Sequence, residues 1–320
     1  MKYSGIGGQA VIEGVMMKNK DTYAVAVRKP DGEIEIKKED YQGLGKKAKF
    51  FRLPFIRGTV NFIDSLILGM STLTYSTSFY DDEDDSGKTE EEKKKSDMIF
   101  NIVTIVISVI IALAVFMAGP YFISLWLERF IKSETVVILL EGLIRVALFV
   151  IYVALISLMK DIKRVYMYHG AEHKCINCIE HGLELNVENV KKSSKEHKRC
   201  GTSFMLIVMC ISILVLMLVR FDSRWLRLAA RIVLIPVIAG ISYEFLRLAG
   251  SHDNPVLNFL SKPGLFLQRL TTKEPDDSMI EVGIASVEAV FDWKAYISEN
   301  FGENKDDSQA DSGNCCNTTE

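Results

Sequence analysis

The chain has 320 residues, and its 38 basic and 41 acidic side chains give a formal net charge of −3. A charge this close to neutral gives no argument for a nucleic-acid partner. The hydrophobic share of 48% is ordinary, but the apolar residues cluster in long uncharged runs that a soluble protein rarely needs. The N-terminus lacks a basic-then-apolar signal region, so we expect no secretory signal peptide and a cytosolic N-terminal segment.

Residues 1–80 are predicted to form a cytosolic β-rich cap that ends in an amphipathic helix. Residues 7–17 carry glycines at both ends, which is typical of a turn that leads into a strand. Residues 22–28 and 33–37 read as two strands on either side of a Pro-Asp-Gly turn, which predicts a β-hairpin.

The helix of this first segment is predicted over residues 60–75 because apolar residues recur there at helical spacing, at Phe62, Leu66, Met70 and Leu73. Two interpretations stay open. The helix lies on the membrane surface behind a basic cluster, or it is a core helix of the cap. The basic cluster consists of Lys46, Lys47, Lys49 and Arg52.

A charged run at 81–97 is interpreted as a solvated linker. The next segment, 98–250, is predicted to be a membrane domain with four transmembrane helices and a motif-bearing loop at 160–202. Runs of about 20 apolar residues are long enough to cross the hydrocarbon core. The predicted spans are 99–123, 136–159, 203–219 and 228–248.

Five charged residues fall inside the predicted spans, and two of them, Glu244 and Arg247, lie near the end of the fourth span. Glu141 and Arg145 are spaced i, i+4, toward the outer end of the second span, and are interpreted as a structural ion pair. Arg231 lies near the outer end of the fourth span, where we expect its long side chain to snorkel toward water.

The loop between the second and third spans is rich in Lys and Arg, whereas the two outer loops hold few. This asymmetry is the positive-inside pattern. We therefore expect a multi-pass protein of the cell membrane with both termini in the cytoplasm. Residues 251–299 are predicted to be a cytosolic helical segment, with a helix that starts near 274–277 and packs on the cap, and 300–320 a polar, disordered tail. The predicted fold class is mainly α, polytopic, with a small β-hairpin-containing cap and a C-terminal amphipathic helix.

The strongest chemical signal is His169-x-x-Glu172-His173. Two histidines at i, i+4 share a helix face and can bind one metal ion, and the glutamate between them is placed to act as general base. His197 and Cys200 end the same loop, and Glu244 lies toward the cytosolic end of the fourth span. We predict a Zn²⁺ site whose further ligand comes from Cys200, His197 or Glu244.

Simpler interpretations stand beside this one. His169 and His173 are then ordinary residues of an interfacial helix, and Cys200 is a core thiol. Glu244 pairs with Arg247 or Arg164 and does nothing else. Cys175 and Cys178 form a C-x-x-C pair but are interpreted as small buried thiols.

Four motifs together resemble the YqhQ family, or domain of unknown function 1385, over residues 1 to about 290. They are 7–17, His169–Lys174, Cys200–Phe204 and Glu274–Asp277. The family comprises bacterial membrane proteins, and its members are described as predicted metal-dependent proteins. Where the family usually has a proline after the histidine before Cys200, this chain has Lys198, which removes a rigid turn but no candidate ligand.

Two functions follow as hypotheses. The first is a metal-dependent hydrolase at the cytosolic membrane face, with Glu172 activating water. The second is a non-catalytic membrane regulator or assembly factor that binds another membrane protein, with a structural metal or hydrogen-bond site. Both place the protein in a lipid bilayer, and neither involves nucleic acid.

Overall fold

A computed structural model describes residues 2–46, 48–80, 90–197, 200–219, 221, 223–251 and 254–302. The protein is mainly helical with one small four-stranded antiparallel sheet near the N-terminus, as the sequence predicted. The twelve α-helices of the described residues are α1 (Ile56–Thr77), α2 (Glu90–Leu113), α3 (Gly119–Leu127), α4 (Glu134–Ile156), α5 (Lys160–Glu180), α6 (Val187–Lys192), α7 (Gly201–Leu218), α8 (Arg224–Val233), α9 (Ile235–Ser251), α10 (Pro255–Thr271), α11 (Asp277–Val290) and α12 (Trp293–Phe301).

The chain divides into two compact units. The first, here called the sheet unit, combines Met1–Tyr41, Arg164–His197 and Thr272–Glu320, and the second, the helical unit, combines Gln42–Lys163 and Lys198–Thr271. Each unit is therefore built from segments that are far apart in the sequence.

The sheet is a meander of β1 (Ile6–Val11), β2 (Gly14–Asn19), β3 (Thr22–Arg28) and β4 (Ile34–Asp40). The predicted hairpin is confirmed as β3 and β4, with Arg28 opposite Ile34. Residues 7–17 form two strands rather than one, because Val11 pairs with Gly14 and leaves a two-residue turn between them. Glu13 in that turn has a φ of 49°, as tight hairpin turns require.

The sheet unit has one hydrophobic core, which the sheet shares with α5 and α11. Asp276 begins α11 by accepting a hydrogen bond from the Met279 amide at 2.9 Å, as the acidic run at 274–277 predicted. Ser286 in the middle of this helix donates to the Ala24 carbonyl of β3 at 3.1 Å. The core includes Val15, Met17, Ala26, Cys175, Ile176, Ile179, Met279, Ile280, Val282 and Val287.

In the part of the helical unit that the structure describes, three helices are long and apolar enough to cross a membrane, or four if a bent pair counts as one span. They are Met98–Leu127, Glu134–Ile156, Gly201–Leu218, and the pair Trp225–Val233 and Ile235–Ala249, which bends by 42°. These match the four predicted spans in position, and the first helix includes a π-helical turn at Ala114–Ala118.

The helix predicted at 60–75 is α1, which packs in the helical unit and not in the core of the sheet unit. It crosses α9 where both helices have a glycine. A Cβ added to Gly58 would lie 3.0 Å from the Gly240 Cα and 2.7 Å from the Tyr243 Cβ. Only glycine allows the two backbones to approach this closely.

A buried ionic cluster joins α3, α4 and α8 of the helical unit. The expected pair of Glu141 and Arg145 is present at 2.9 Å. The prediction that Arg231 snorkels is wrong, because its guanidinium is 6% exposed and binds both Glu141 oxygens at 2.8 and 2.5 Å. Ser124 also donates to this carboxylate at 3.1 Å. A buried carboxylate holds the arginine inside because the pair costs less than either charge alone.

Part of the predicted linker and most of the predicted tail lie outside the described residues, at 81–89 and from 303 onward. The helix α2 begins at Glu90, inside the stretch that was predicted to be linker.

Candidate metal centre

The helix α5 carries the two motif histidines on one face, as their spacing predicted. The ring centroids of His169 and His173 lie 4.4 Å apart with the planes at 64°. The His173 side chain is fully buried at 1% exposure, and that of His169 is 13% exposed. Two imidazoles are thus stacked one turn apart and largely shielded from water.

The ring of His173 is oriented by a backbone carbonyl. Its Nδ1 lies 2.6 Å from the carbonyl oxygen of Lys195. With the proton on Nδ1, this nitrogen donates to the carbonyl and Nε2 holds the lone pair. A histidine that binds metal through one nitrogen usually donates from the other in this way.

The loop that provides this carbonyl is held by two buried residues of α5. Lys174 donates to the carbonyls of Lys191 at 2.8 Å and Ser193 at 2.9 Å. Asn177 donates to the carbonyls of Ser194 at 2.6 Å and Glu196 at 3.0 Å. The sequence interpretation assigned neither residue a role, although both lie within one turn of His173 on the same helix.

Glu274 strengthens the same loop from the segment before α11. Its carboxylate pairs with Lys174 at 3.1 Å and with Lys195 at 3.0 Å. Partial burial alone would raise the pKa of Glu274, but the hydrogen bonds from Lys195 and Lys174 outweigh it and hold the pKa below its usual value.

His197 lies near the pair but faces a different partner. Its ring centroid is 5.6 Å from that of His173, and its Nε2 is 3.7 Å from a carboxylate oxygen of Glu180. Glu180 is fully buried and also accepts hydrogen bonds from the Ser4 amide and hydroxyl at 3.0 and 2.8 Å. Sequence reasoning missed Glu180, although its position seven residues after His173 places it on the same helix face.

Glu172, the predicted general base, is 5% exposed, and one of its oxygens lies 3.9 Å from Nε2 of His169. It packs against β1, where a Cβ added to Gly8 would lie 2.8 Å from the Glu172 Cγ. A Cβ added to Gly7, in contrast, would meet no atom within 4 Å. The second glycine of the N-terminal motif therefore leaves room for the carboxylate side chain.

Gly170, inside the motif, is required by a neighbouring backbone. A Cβ at this position would lie 2.0 Å from the Lys273 carbonyl oxygen. The adjacent Lys273 amide donates to the Tyr166 carbonyl at 2.9 Å. The glycine of His-Gly-Ala-Glu-His thus serves packing, and the charged and imidazole residues are left for chemistry.

The start of α5 is tied to the first hairpin. Arg164 binds both oxygens of Glu13 at 2.5 Å, and the Tyr168 hydroxyl donates to the same carboxylate at 3.2 Å. Burial, followed by the charge of Glu13, raises the pKa of Tyr168 well above its usual value. Arg164 is therefore engaged within the sheet unit.

Two predicted ligands belong to the helical unit. Cys200 is 7% exposed and begins α7, where its sulfur accepts a hydrogen bond from the Thr202 amide at 3.4 Å. Only two residues separate it from His197 in the chain. The role of Cys200 as a metal ligand stays a prediction from the sequence.

Glu244 is bound by an arginine that the sequence interpretation did not consider. Arg57 of α1 donates to both of its oxygens at 2.6 and 2.5 Å. The carboxylate therefore has a bidentate partner other than Arg247 or Arg164. Its role as a metal ligand stays a prediction.

Cys175 and Cys178 are confirmed as small buried thiols. Both are fully buried, and burial raises the pKa of Cys178 to about 11 and that of Cys175 well above its usual value. A neutral thiol is a poor nucleophile and a poor metal ligand.

The fold and this centre define a mainly helical protein with a small antiparallel sheet, apolar helices long enough to span a membrane, and a buried pair of histidines on one helix. The chain belongs to the family described as "Protein of unknown function (DUF1385)", whose model matches residues 53–293. It is 39% identical to the "Uncharacterized protein YqhQ" of Bacillus subtilis (strain 168) over 300 residues, which cover 92% of this chain and 94% of that protein. No solved structure matches the chain.

Proposed function

We propose that this protein is an integral membrane protein that binds Zn²⁺ through His169, His173 and Cys200 and acts as a metal-dependent hydrolase. The observation that carries the proposal is the buried histidine pair on α5, with Nδ1 of His173 at the Lys195 carbonyl. His197 is not included as a ligand because its ring faces Glu180.

The donor set suits zinc. Imidazole nitrogen and thiolate sulfur are the ligands that Zn²⁺ prefers, and three protein ligands leave the fourth position of a tetrahedral site for water. A zinc ion bound there would supply Lewis acidity and lower the pKa of a bound water. Four protein ligands would instead indicate a closed, structural site.

Glu172 is the residue for proton transfer. Its carboxylate lies beside His169, on the same turn of α5, and Gly8 leaves room for it. A carboxylate next to a metal ligand can take a proton from water and return it to a leaving group. Glu172 is therefore assigned as general base. The substrate class is a peptide, a lipid with a hydrolysable head group, or an ester.

Chain connectivity supports four membrane spans. The three segments of the sheet unit share one hydrophobic core, so they must lie on one side of the bilayer. Each intervening segment must then cross an even number of times. Residues 42–163 contain two candidate spans, and residues 198–271 contain one candidate and the bent α8–α9 pair. In the proposed topology the bent pair completes the fourth span.

The basic residues of the α5–α6 region support the proposal that the sheet unit, with both termini, lies on the cytoplasmic side of the cell membrane. Sided thiol labelling tests this topology. Cysteine introduced at Lys132, between α3 and α4, should react with an impermeant maleimide in intact cells, and cysteine at Glu33 only after lysis. The reverse pattern would contradict the proposed orientation.

The metal site is tested by the zinc content of the protein purified in detergent. The wild type should hold one zinc per chain, and His173→Ala should lose it. His181→Ala is the matched control, because His181 directly follows the same helix, which ends at Glu180, and is exposed. Zinc retained at full stoichiometry in His173→Ala would exclude this histidine as a ligand.

Cobalt replacement separates the hydrolase from the regulator hypothesis. The visible absorption of cobalt in an open site should change when a small hydroxamate is added. In a separate assay, Glu172→Gln should keep the metal but lose hydrolysis of a chromogenic ester. A spectrum that does not respond would indicate a closed site, as expected of a non-catalytic regulator that binds another membrane protein.

A further inference from the structure

We propose that α1 and the 3-10 turn before it, Lys49–Arg52, form an interfacial anchor that binds anionic lipid head groups on the cytoplasmic face of the membrane. The inference rests on the proposed four-span topology but assigns a function to a segment that the topology leaves unexplained. It concerns a surface of the helical unit alone.

The buried face of α1 includes polar residues, and its exposed face carries a stripe of large apolar residues. Asp64 is 7% exposed and Thr72 and Ser76 are fully buried, whereas Ile63, Leu66, Ile67 and Met70 are each more than 40% exposed. The spacing of these four, at i, i+3, i+4 and i+7, makes one continuous stripe. Such a stripe marks a surface that meets lipid or a partner, because water disfavours it.

The buried Asp64 makes a contact that keeps α1 in this orientation. Asp64 accepts a hydrogen bond from the Leu44 amide at 3.0 Å, and a Cβ on Gly43 would lie 2.5 Å from its other oxygen. The carboxylate therefore fixes the chain that leads into the 3-10 turn. The helix cannot rotate its apolar stripe inward without breaking this contact.

The turn before α1 extends the apolar stripe. Phe50, Leu53 and Phe55 are 61%, 48% and 55% exposed. Phe55 has a φ of 67°, an uncommon conformation for a bulky residue, and its carbonyl lies against Gly240, where a Cβ would be 2.4 Å away. The close contact with α9 thus holds the turn in a conformation that leaves the Phe55 ring exposed.

The charge of this segment indicates that its exposed surface binds anionic lipid head groups. Between Gln42 and Tyr80 the only acidic residue is Asp64, which is buried. Lys46, Lys49 and Arg52 are exposed beside the aromatic residues. Basic residues next to exposed apolar and aromatic side chains are the signature of a segment that lies in the head-group layer of an anionic leaflet.

The parity of the crossings requires α1 to stay in this layer. Its 22 residues would reach about 33 Å, enough to cross the hydrocarbon core. A crossing by α1 would make an odd number between the first two segments of the sheet unit, which share one core. An apolar helix beside membrane helices that cannot cross must lie at the interface.

The test uses the full chain in lipid nanodiscs with a fluorescent amino acid at Leu66. Quenching should be strongest with lipids that carry a spin label near the head group and weaker with a label near the chain end. A control probe at Glu33, in the β3–β4 turn, should be quenched by iodide and by neither lipid. Quenching of the Leu66 probe by iodide alone, or mainly by the deep label, would overturn the proposal.

The charge requirement has its own variant. Quenching by the shallow label should increase when phosphatidylglycerol replaces phosphatidylcholine, and Lys46→Gln/Lys49→Gln/Arg52→Gln should lose this increase. Lys37→Gln/Lys38→Gln, on β4, should keep it. An increase that survives the triple substitution would refute lipid-charge recognition by this segment.

Failure of this inference is distinguishable from failure of the proposed topology. Protein that alkaline carbonate extracts from native membranes would contradict membrane integration itself. Protein that stays in the membrane while the Leu66 probe is open to iodide would refute only the interfacial anchor.

Discussion

The Nδ1 of His173 lies 2.6 Å from the carbonyl oxygen of Lys195, a residue of the loop after α6. The orientation of a proposed ligand is thus set by a loop, and Lys174 on the same helix holds that loop through two carbonyls. Lys174, the residue after His173, therefore helps to orient the His173 ring.

We expect Lys174→Met to weaken zinc binding about 10–100-fold, because partners of a ligating histidine typically contribute that much to metal affinity. The measurement is competition with a fluorescent chelator. Lys192→Met is the matched control, because Lys192 is exposed and pairs only with Glu188 one turn away. Unchanged affinity in Lys174→Met would show that the loop does not orient the ligand.

Cys200→Ser should abolish zinc binding without unfolding α7. The serine hydroxyl can still cap the helix where the sulfur accepts from the Thr202 amide, but it cannot provide a thiolate. Cobalt-loaded wild type should show a thiolate charge-transfer band that Cys200→Ser lacks. Cys210→Ser, in the middle of the same helix, should keep both the metal and the band, and a band that persists in Cys200→Ser would exclude this sulfur.

Gly8→Ala should destabilise the protein by about 1–3 kcal/mol, the usual cost of overpacking a filled site. Its Cβ would lie 2.8 Å from the Glu172 Cγ, the Met16 carbonyl oxygen and the Met17 sulfur. Thermal unfolding in detergent measures the effect. Gly7→Ala, which meets nothing within 4 Å, should change the melting temperature little, and equal effects in both variants would contradict the packing argument.

Glu141→Gln should cost about 3–5 kcal/mol, because it leaves Arg145 and Arg231 buried without a counter-charge. Unfolding by SDS titration in mixed micelles gives the comparison. Glu128→Gln should cost about 1 kcal/mol or less, since its pair with Arg227 is partly exposed. Replacing all three buried residues by methionine should recover much of the loss, and a mild Glu141→Gln phenotype would argue against the cluster as a stabilising unit.

The thiol of Cys178 should resist iodoacetamide in the folded protein at mildly alkaline pH. Burial raises its pKa to about 11, against 9.0 for a free thiol. The folded state therefore keeps its proton where the unfolded state loses it, so the stability contribution is complete below about pH 9 and is lost as the pH rises toward 11. Mass spectrometry should find Cys178 alkylated only after denaturation, and rapid modification of the native protein would contradict the burial.

Sequence periodicity predicted the helices, the β3–β4 hairpin and the pairing of His169 with His173 on one face. These features depend on residues within one or two turns of each other. Sequence reasoning could not find that Glu180 and Ser4 meet, or that Arg57 binds Glu244, because each pair joins segments more than 150 residues apart.

The interpretation of the sequence was also wrong about one buried charge, that of Arg231. Arg231 was expected to reach water because its partner, Glu141, is 90 residues away and an isolated arginine would not stay inside. A second arginine on the same carboxylate could be found only from the packing of α4 against its neighbours. Glycines had a similar limit: Gly8, Gly58 and Gly170 each mark a close approach that the sequence cannot specify.

The sheet is made first on the ribosome, but α11, which covers one face of it, is made almost last. At roughly 5–20 residues per second, the delay between them is on the order of tens of seconds. In the proposed topology the four membrane spans are synthesised during that time, while the face of the sheet that α11 covers is not yet packed. Synthesis of the C-terminal helices, rather than insertion, therefore completes the domain that carries the histidines, and any truncation before α11 removes the core on which α5 is folded.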